Sequence, residues 1–200
     1  MKYLYVLLVV FILVLTWSAI NPHDYFTWFL EVIPGIIGLI VLIVTFKRFR
    51  FTDFVYTLIL IHCCILFVGG HYTYAEVPLF DWIRDVFHQS RNNYDKVGHL
   101  AQGFVPALII RELFVRMKII NMKGWLNFIV VSICMAISVT YEFIEWFVSI
   151  ATGSAGDSFL GTQGYIWDTQ SDMLYATIGA ILGLLIFSRF QDRQINKIGL

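Results

Sequence analysis

The sequence predicts an all-α fold, a polytopic membrane helix bundle, and three observations carry that prediction. Hydrophobic residues make up 58% of the 200 residues and charged ones only 14%, where soluble domains carry roughly 25% charge. The apolar residues gather into about six runs, each close to the ~20 residues needed to cross ~30 Å of hydrocarbon. Trp and Tyr recur near the ends of those runs, where amphipathic rings settle at the membrane–water interface. The chain therefore reads as a single integral membrane domain over residues 1–200, with the lipid bilayer as its main partner. Lys and Arg number 14, matched by 14 Asp and Glu. Without a basic surplus, no nucleic-acid partner is expected.

The first run, residues 3–20, follows Lys2. A cleaved signal peptide is its rival, but cleavage after Ala19 would put Trp17 where a small residue is needed. An uncleaved span is the reading taken. The second, 26–46, carries Glu31 near its start and Pro34-Gly35 a turn later, and stops at Lys47, Arg48 and Arg50. The third, 54–70, holds His62 at mid-depth, read as a satisfied donor between helices. The remaining runs are 97–117, 125–150 and 173–190. In the last, Ala176, Gly179, Ala180 and Gly183 form a small-residue stripe for close helix contact. Arg111 and Glu112, near the far end of the fourth span, need only a local pair or snorkelling. Cys63, Cys64 and Cys134 lie in apolar runs without metal spacing, so neither a disulfide nor a cysteine metal site is expected.

Two connections have character of their own. Between spans 3 and 4, Leu79 to His88 place Leu79, Phe80, Trp82, Ile83, Val86 and Phe87 on one helical face, opposite Asp81, Arg84, Asp85 and His88. That pattern predicts a short interfacial helix, with a lid packed on the bundle as the alternative. The connection between spans 5 and 6 has no Lys or Arg. Its Gly161-Thr-Gln-Gly164 suits a re-entrant turn, the plainer reading, or an anion-binding backbone nest.

Basic residues orient the spans. Lys2, Lys47, Arg48, Arg50, Arg116, Lys118, Lys123, Arg189, Arg193 and Lys197 fall on one side, against Arg84, Arg91 and Lys96 on the other. By the positive-inside rule both termini are cytoplasmic, and the long connections after spans 3 and 5 face outward.

Under that topology the ionisable residues of four spans meet at one depth, the outer third of the bilayer. Asp95, His99 and Gln102 share a helix face at i, i+4 and i+7, as do Asp168 and Asp172 at i and i+4. Glu142 and Glu145 close span 5, and Glu31 opens span 2. A charge at such depth costs roughly 2.5–3.5 kcal/mol on insertion scales, so a cluster points to acid–base work, proton transfer or cation binding. Asp95, His99, Glu142 and Glu145 are the candidate catalytic residues: Asp95 orients His99, and the two glutamates hold a proton or cation. Asp168, Asp172, Gln102 and Gln163 are candidate substrate-binding residues, with His71, Tyr74 and Glu76 at the rim. The set would suit a divalent metal, but His-x-x-x-His, Cys-x-x-Cys and Glu-x-x-His pairs are all missing. Metal support is weak, and the cofactor stays open.

Several stretches resemble the YjdF family of bacterial inner-membrane proteins. They are Gly-Gly-His-Tyr-Thr-Tyr-Ala-Glu-Val-Pro (69–78), Tyr-Asp-Lys-Val-Gly-His (94–99), Gln-Gly-Phe-Val-Pro-Ala (102–107), Glu-Phe-Ile-Glu-Trp (142–146), and the run from Phe159 to Met173. More distantly, the chain is similar to VanZ-like membrane proteins. Asp95-Lys96-Val97-Gly98-His99 fits their helix start, and Asp172, Gly179 and Gly183 fit their final span. Glu145 and Ala176 stand where those proteins carry amides. The first resemblance implies a bacterial inner membrane; the second, through its link to glycopeptide resistance, implies cell-envelope chemistry. A site that binds or processes an envelope or lipid-linked small molecule is the leading expectation. A proton- or cation-coupled transporter and a non-catalytic structural or regulatory subunit are the alternatives, and whether the chain is an enzyme stays open.

Overall fold

The computed structural model describes residues 2–120 and 122–198, with the side chains of Lys123, Ser154, Ala155, Asp157 and Ser158 left aside. The elements are α1 (Lys2–Ser18), α2 (Tyr25–Thr45), α3 (Asp53–Tyr72), α4 (Pro78–Val86), α5 (Tyr94–Arg116), α6 (Lys123–Thr152), α7 (Asp157–Leu160) and α8 (Asp168–Lys197). A 3₁₀ turn joins α6 to α7, and no strand occurs among the described residues.

Local chemistry sets the helix starts. Asp24 caps α2 by accepting the Thr27 N–H at 2.7 Å, which satisfies a donor that the first turn leaves free. Partial burial works against the Asp24 charge, but the hydrogen bonds from Thr27 outweigh it and hold the carboxyl below its usual range. Thr52 caps α3 in the same way through Val55 N–H. At its other end α3 breaks at Thr73 and Tyr74, both left-handed with φ of 54° and 55°. That reversal lays the Tyr74 ring on α3 itself, so a Cβ at Gly69 would sit 2.3 Å from the ring.

The centre of the bundle is the parallel pair α5 and α8. A Cβ on Gly103 would lie 1.7 Å from the Ala176 carbonyl oxygen, and one on Gly179 2.0 Å from that of Leu100. The small-residue stripe is therefore what lets the two backbones touch. Helix α6 runs antiparallel to both, closing a core of Ala107, Leu126, Val130, Cys134, Ala180 and Leu184. Helix α3 packs on the opposite side of α5. Helices α1 and α2 lean on α3 through Phe11, Val32, Cys63 and Phe67. All three cysteines are free, as expected.

Among the described residues, four helices are long and apolar enough to cross a bilayer: Tyr25–Thr45, Asp53–Tyr72, the α6 segment Gly124–Thr152, and Asp168–Lys197. The sequence suggested six. The other two differ: α1 is apolar and, with 17 described residues, stands at the short end of the ~17–25 that span a bilayer, while α5 has 23 residues but is less apolar, with Asp95, Lys96, His99, Arg111 and Glu112 along it. The last helix is longer than its apolar run at both ends, starting at Asp168 rather than at residue 173. In α4, Leu79, Trp82, Val86 and Phe87 are turned outward. Its inward contacts are Phe80 against the Tyr94 ring and Asp81 accepting from Asn92 Nδ2. A lid with its apolar face on the bundle is therefore not what forms.

Arg111 and Glu112 do more than the expected local pairing, which Glu112 makes with Arg116. Arg111 donates across to Gln191 Oε1 and Asp192 Oδ1 of α8, at 3.0 and 2.7 Å. Glu112 accepts from Thr52 N–H and Thr52 Oγ1, fixing the start of α3, and from Arg116. Both residues tie helices together.

A candidate acidic and histidine site

At the N-terminal ends of α5 and α8, buried charges are organised by two cations that stand just outside the apolar runs. Arg91 donates to Asp168 Oδ1 at 2.5 Å and to the carbonyls of Gly161 and Thr162. Lys96 Nζ lies 2.8 Å from Asp168, 2.5 Å from Asp172 and 3.3 Å from Asp95. Around them the connecting segments are clipped together. Asn92 exchanges backbone hydrogen bonds with the Gln163 amide in both directions, and its own side chain reaches Val77 and Asp81. This lattice explains why a polar first turn of α8 is tolerated: Asp168 and Asp172, 5% and 3% exposed, each meet a fixed cation.

His99 sits one turn below. Its Nε2 is 3.2 Å from Asp95 Oδ1 and 3.7 Å from Asp172 Oδ1, and its Nδ1 is 3.0 Å from Gln102 Oε1. Both ring nitrogens therefore face oxygens, Gln102 on one side and two carboxylates on the other. Glu142 Oε1 lies 3.8 Å from Nδ1 and has no hydrogen-bond partner.

Beside this histidine is a cavity of about 190 Å3, lined by Glu31, Tyr74, Asp95, His99, Gln102, Tyr141, Glu145 and Asp172 among others. Tyr141 Oη donates to Glu31 Oε2 at 3.3 Å. Glu145 is 7% exposed and has no hydrogen bond or ion pair to any described residue. The structure thus brings Asp95, His99, Gln102, Glu145, Asp172 and Tyr74 to one space, with Glu142 just behind His99.

Four expected binding residues lie elsewhere. Asp168 is taken by Arg91 and Lys96, away from the cavity wall. Gln163 is the clip on Asn92. His71 bonds the Ser18 carbonyl at 3.0 Å and stacks on Trp17, joining α3 to the end of α1. Glu76 is exposed and pairs with His23 at 3.3 Å. The anion-nest alternative also fails at Gly161-Thr162, where carbonyl oxygens point at Arg91. His62, read as a satisfied donor, instead lines the deep part of the cavity with its Nε2 unpartnered.

Arg91 and Lys96 were missed as site residues because they count as loop cations in a topology argument. The i, i+4 spacing of Arg91 to Asp95 was the available signal. Asp95, His99 and Asp172 bring ligand atoms within 4.8 Å of one another, close enough to share a metal ion. The Lys96 ammonium already occupies Asp172 Oδ1, however, and its charge opposes a metal there.

Apolar helices wrapped around a buried acid-and-histidine cluster define a multi-pass membrane protein. The chain belongs to the family described as Predicted membrane protein (DUF2238), which matches residues 3–193. It is similar to the inner membrane protein YjdF of Escherichia coli (strain K12), at 45% identity over 188 residues, covering 94% of this chain and 90% of that protein. No solved structure matches it. The YjdF resemblance is thereby shown; the more distant VanZ-like one stays a resemblance.

Proposed function

We propose that this is a six-span inner-membrane protein with cytoplasmic termini, whose outward-facing cavity binds or chemically processes a small polar part of a cell-envelope or lipid-linked component. One observation carries the reading: carboxylates exceed cations around the cavity. Glu31, Asp95, Glu142, Glu145, Asp168 and Asp172 are all within reach of the cluster, against Arg91, Lys96 and His99. Beyond the cavity α5, α6 and α8 meet in the apolar core of Ala107, Val130, Cys134, Ala180 and Leu184. A transporter would need a chain of polar groups through that layer; the buried polar side chain of α6 beside it is the single hydroxyl of Ser138, which favours a one-sided binding or reaction site. In it His99 is the acid–base group, Asp95 orients it, and Glu142 and Glu145 hold the balancing proton or cation.

Orientation follows from charge. Arg91 and Lys96 are taken up by buried pairs, which leaves Arg84, half-buried and paired with Asp81 and Asp85, as the remaining cation of the 3–4 connection. The opposite end keeps Lys47, Arg48, Arg50 and Lys118. Helix α4, with Leu79, Trp82, Val86 and Phe87 outward, then lies in the outer interface. The test is an impermeant thiol reagent on intact cells carrying Asp85→Cys or Lys118→Cys. Labelling of Asp85→Cys alone is expected. Labelling of Lys118→Cys alone would turn the site toward the cytoplasm and end the envelope reading.

A further inference from the structure

We propose that the cavity takes the protonated amine head of a membrane amphiphile, which enters sideways between α2 and α6 while its chain stays in the lipid. This rests on the cavity being the binding site described above. Helix α2 lines it through Glu31 and Pro34, and α6 through Ile137, Tyr141 and Glu145. The two helices make little direct contact: α2 packs on α3, α6 on α5 and α8, and the short α7 touches both at the outer end of the gap, its Phe159 beside Tyr141. Pro34 and Ile137 are also exposed on the outside of the bundle. The slot between them therefore connects the lipid-facing surface with the carboxylates. Across it, among the described residues, runs one side-chain hydrogen bond, from Tyr141 to Glu31. That makes a weak latch.

Size and charge choose the occupant. About 190 Å3 is below the ~300–1,000 Å3 of pockets that enclose a whole ligand, so a head fits and its chain does not. No Lys or Arg lines the cavity, which leaves a phosphate or sulfate head facing carboxylates. Acceptors are in excess. Among the described residues Glu145, 7% exposed and on the cavity wall, has no donor, and neither has Glu142 Oε1. Pro34 and Pro106, both inside helices and both on the wall, lack the N–H that Leu30 and Gln102 carbonyls would otherwise receive. An ammonium brings three donors and one positive charge, which answers both deficits.

The test is thermal unfolding of the purified full chain in a neutral maltoside at neutral pH. Dodecylamine at low mole fraction is compared with dodecyl phosphate and with ethylamine. Dodecylamine should raise Tm saturably, by about 5 °C for a domain of this size, and the other two should not. Glu145→Gln should abolish the shift, as should Ile137→Trp, which narrows the slot without touching a carboxylate. Glu31→Gln serves if the Glu145 variant does not unfold cooperatively. An equal shift with ethylamine would overturn sideways capture. An equal shift with dodecyl phosphate, an unchanged shift in the variants, or none in the parent protein would overturn the amine. Should dodecylamine fail while Glu145→Gln still abolishes function in cells, the site stands and this inference alone falls.

Discussion

The two ends of the α5–α8 pair bury charge equally well and use it differently. At the C-terminal end Glu112 is 0% exposed, and both its oxygens are taken: Oε1 by Thr52 N–H and Arg116, Oε2 by Thr52 Oγ1. Arg111 is matched by Gln191 and Asp192, and Gln191 Nε2 donates in turn to Leu108 O. Each acid meets a cation, and α3 and α8 are fixed by the result. At the N-terminal end Arg91 and Lys96 satisfy Asp168 and Asp172, but among the described residues Glu142 Oε1 has no donor and Glu145 makes no hydrogen bond or ion pair. Burial alone therefore does not mark a site. A matched set holds helices together, whereas the unmatched remainder, beside a cavity, stores an unfavourable arrangement that a ligand or proton can relieve.

The strongest way to break this contrast is Glu112→Ala. It strands Thr52 and Arg116 in a buried position, where loss of one partner costs about 3–5 kcal/mol. Membrane abundance and detergent Tm should both fall, the latter by about 10 °C. Little change would mean that the C-terminal set is not architectural. Lys96→Met comes next, at about 2–3 kcal/mol, because it frees Asp172 while Arg91 still covers Asp168. The same melting assay reads it, and a loss as large as that of Glu112→Ala would place the Lys96 pairs in the architecture too. Tyr141→Phe should be smaller, under about 1 kcal/mol, since its bond to Glu31 is long at 3.3 Å. A drop of several degrees there would show that the α2–α6 slot is held by more than a latch.

The same contrast explains what could be read from the sequence. Because hydrocarbon length leaves little choice, the apolar runs located the long helices to within about three residues, except α8, whose polar ends extend past its run on both sides. Ala176, Gly179, Ala180 and Gly183 announced a close helix contact by their spacing but not its partner, which the structure shows to be α5, at Gly103 and Leu100. Asp95, His99 and Gln102 were legible as one face. What could not be read was pairing across elements distant in sequence. Arg91 to Asp168 and Thr52 to Glu112 join residues 77 and 60 positions apart, and neither leaves a trace in local periodicity. Hence Asp168 looked like a ligand when it is a neutralised anchor, and Glu112 looked incidental when it fixes a helix. His71 and Glu76 followed the rim by position, but Ser18 and His23, on the far side of α1, claim them. His62 erred the other way: mid-depth in a helix says nothing of whether a cavity reaches down to it.

Glu145→Gln should have the least effect on stability and the greatest on function, and it is the most direct test of whether the unmatched carboxylates are a working site. Membrane abundance, detergent Tm and complementation of a chromosomal deletion phenotype are measured side by side on this variant. Abundance should stay at the parent level, with Tm unchanged or raised by a few degrees as carboxylate repulsion is removed, while complementation is lost. A fall in abundance and Tm that tracks the loss of complementation would contradict this and return the whole cluster to architecture.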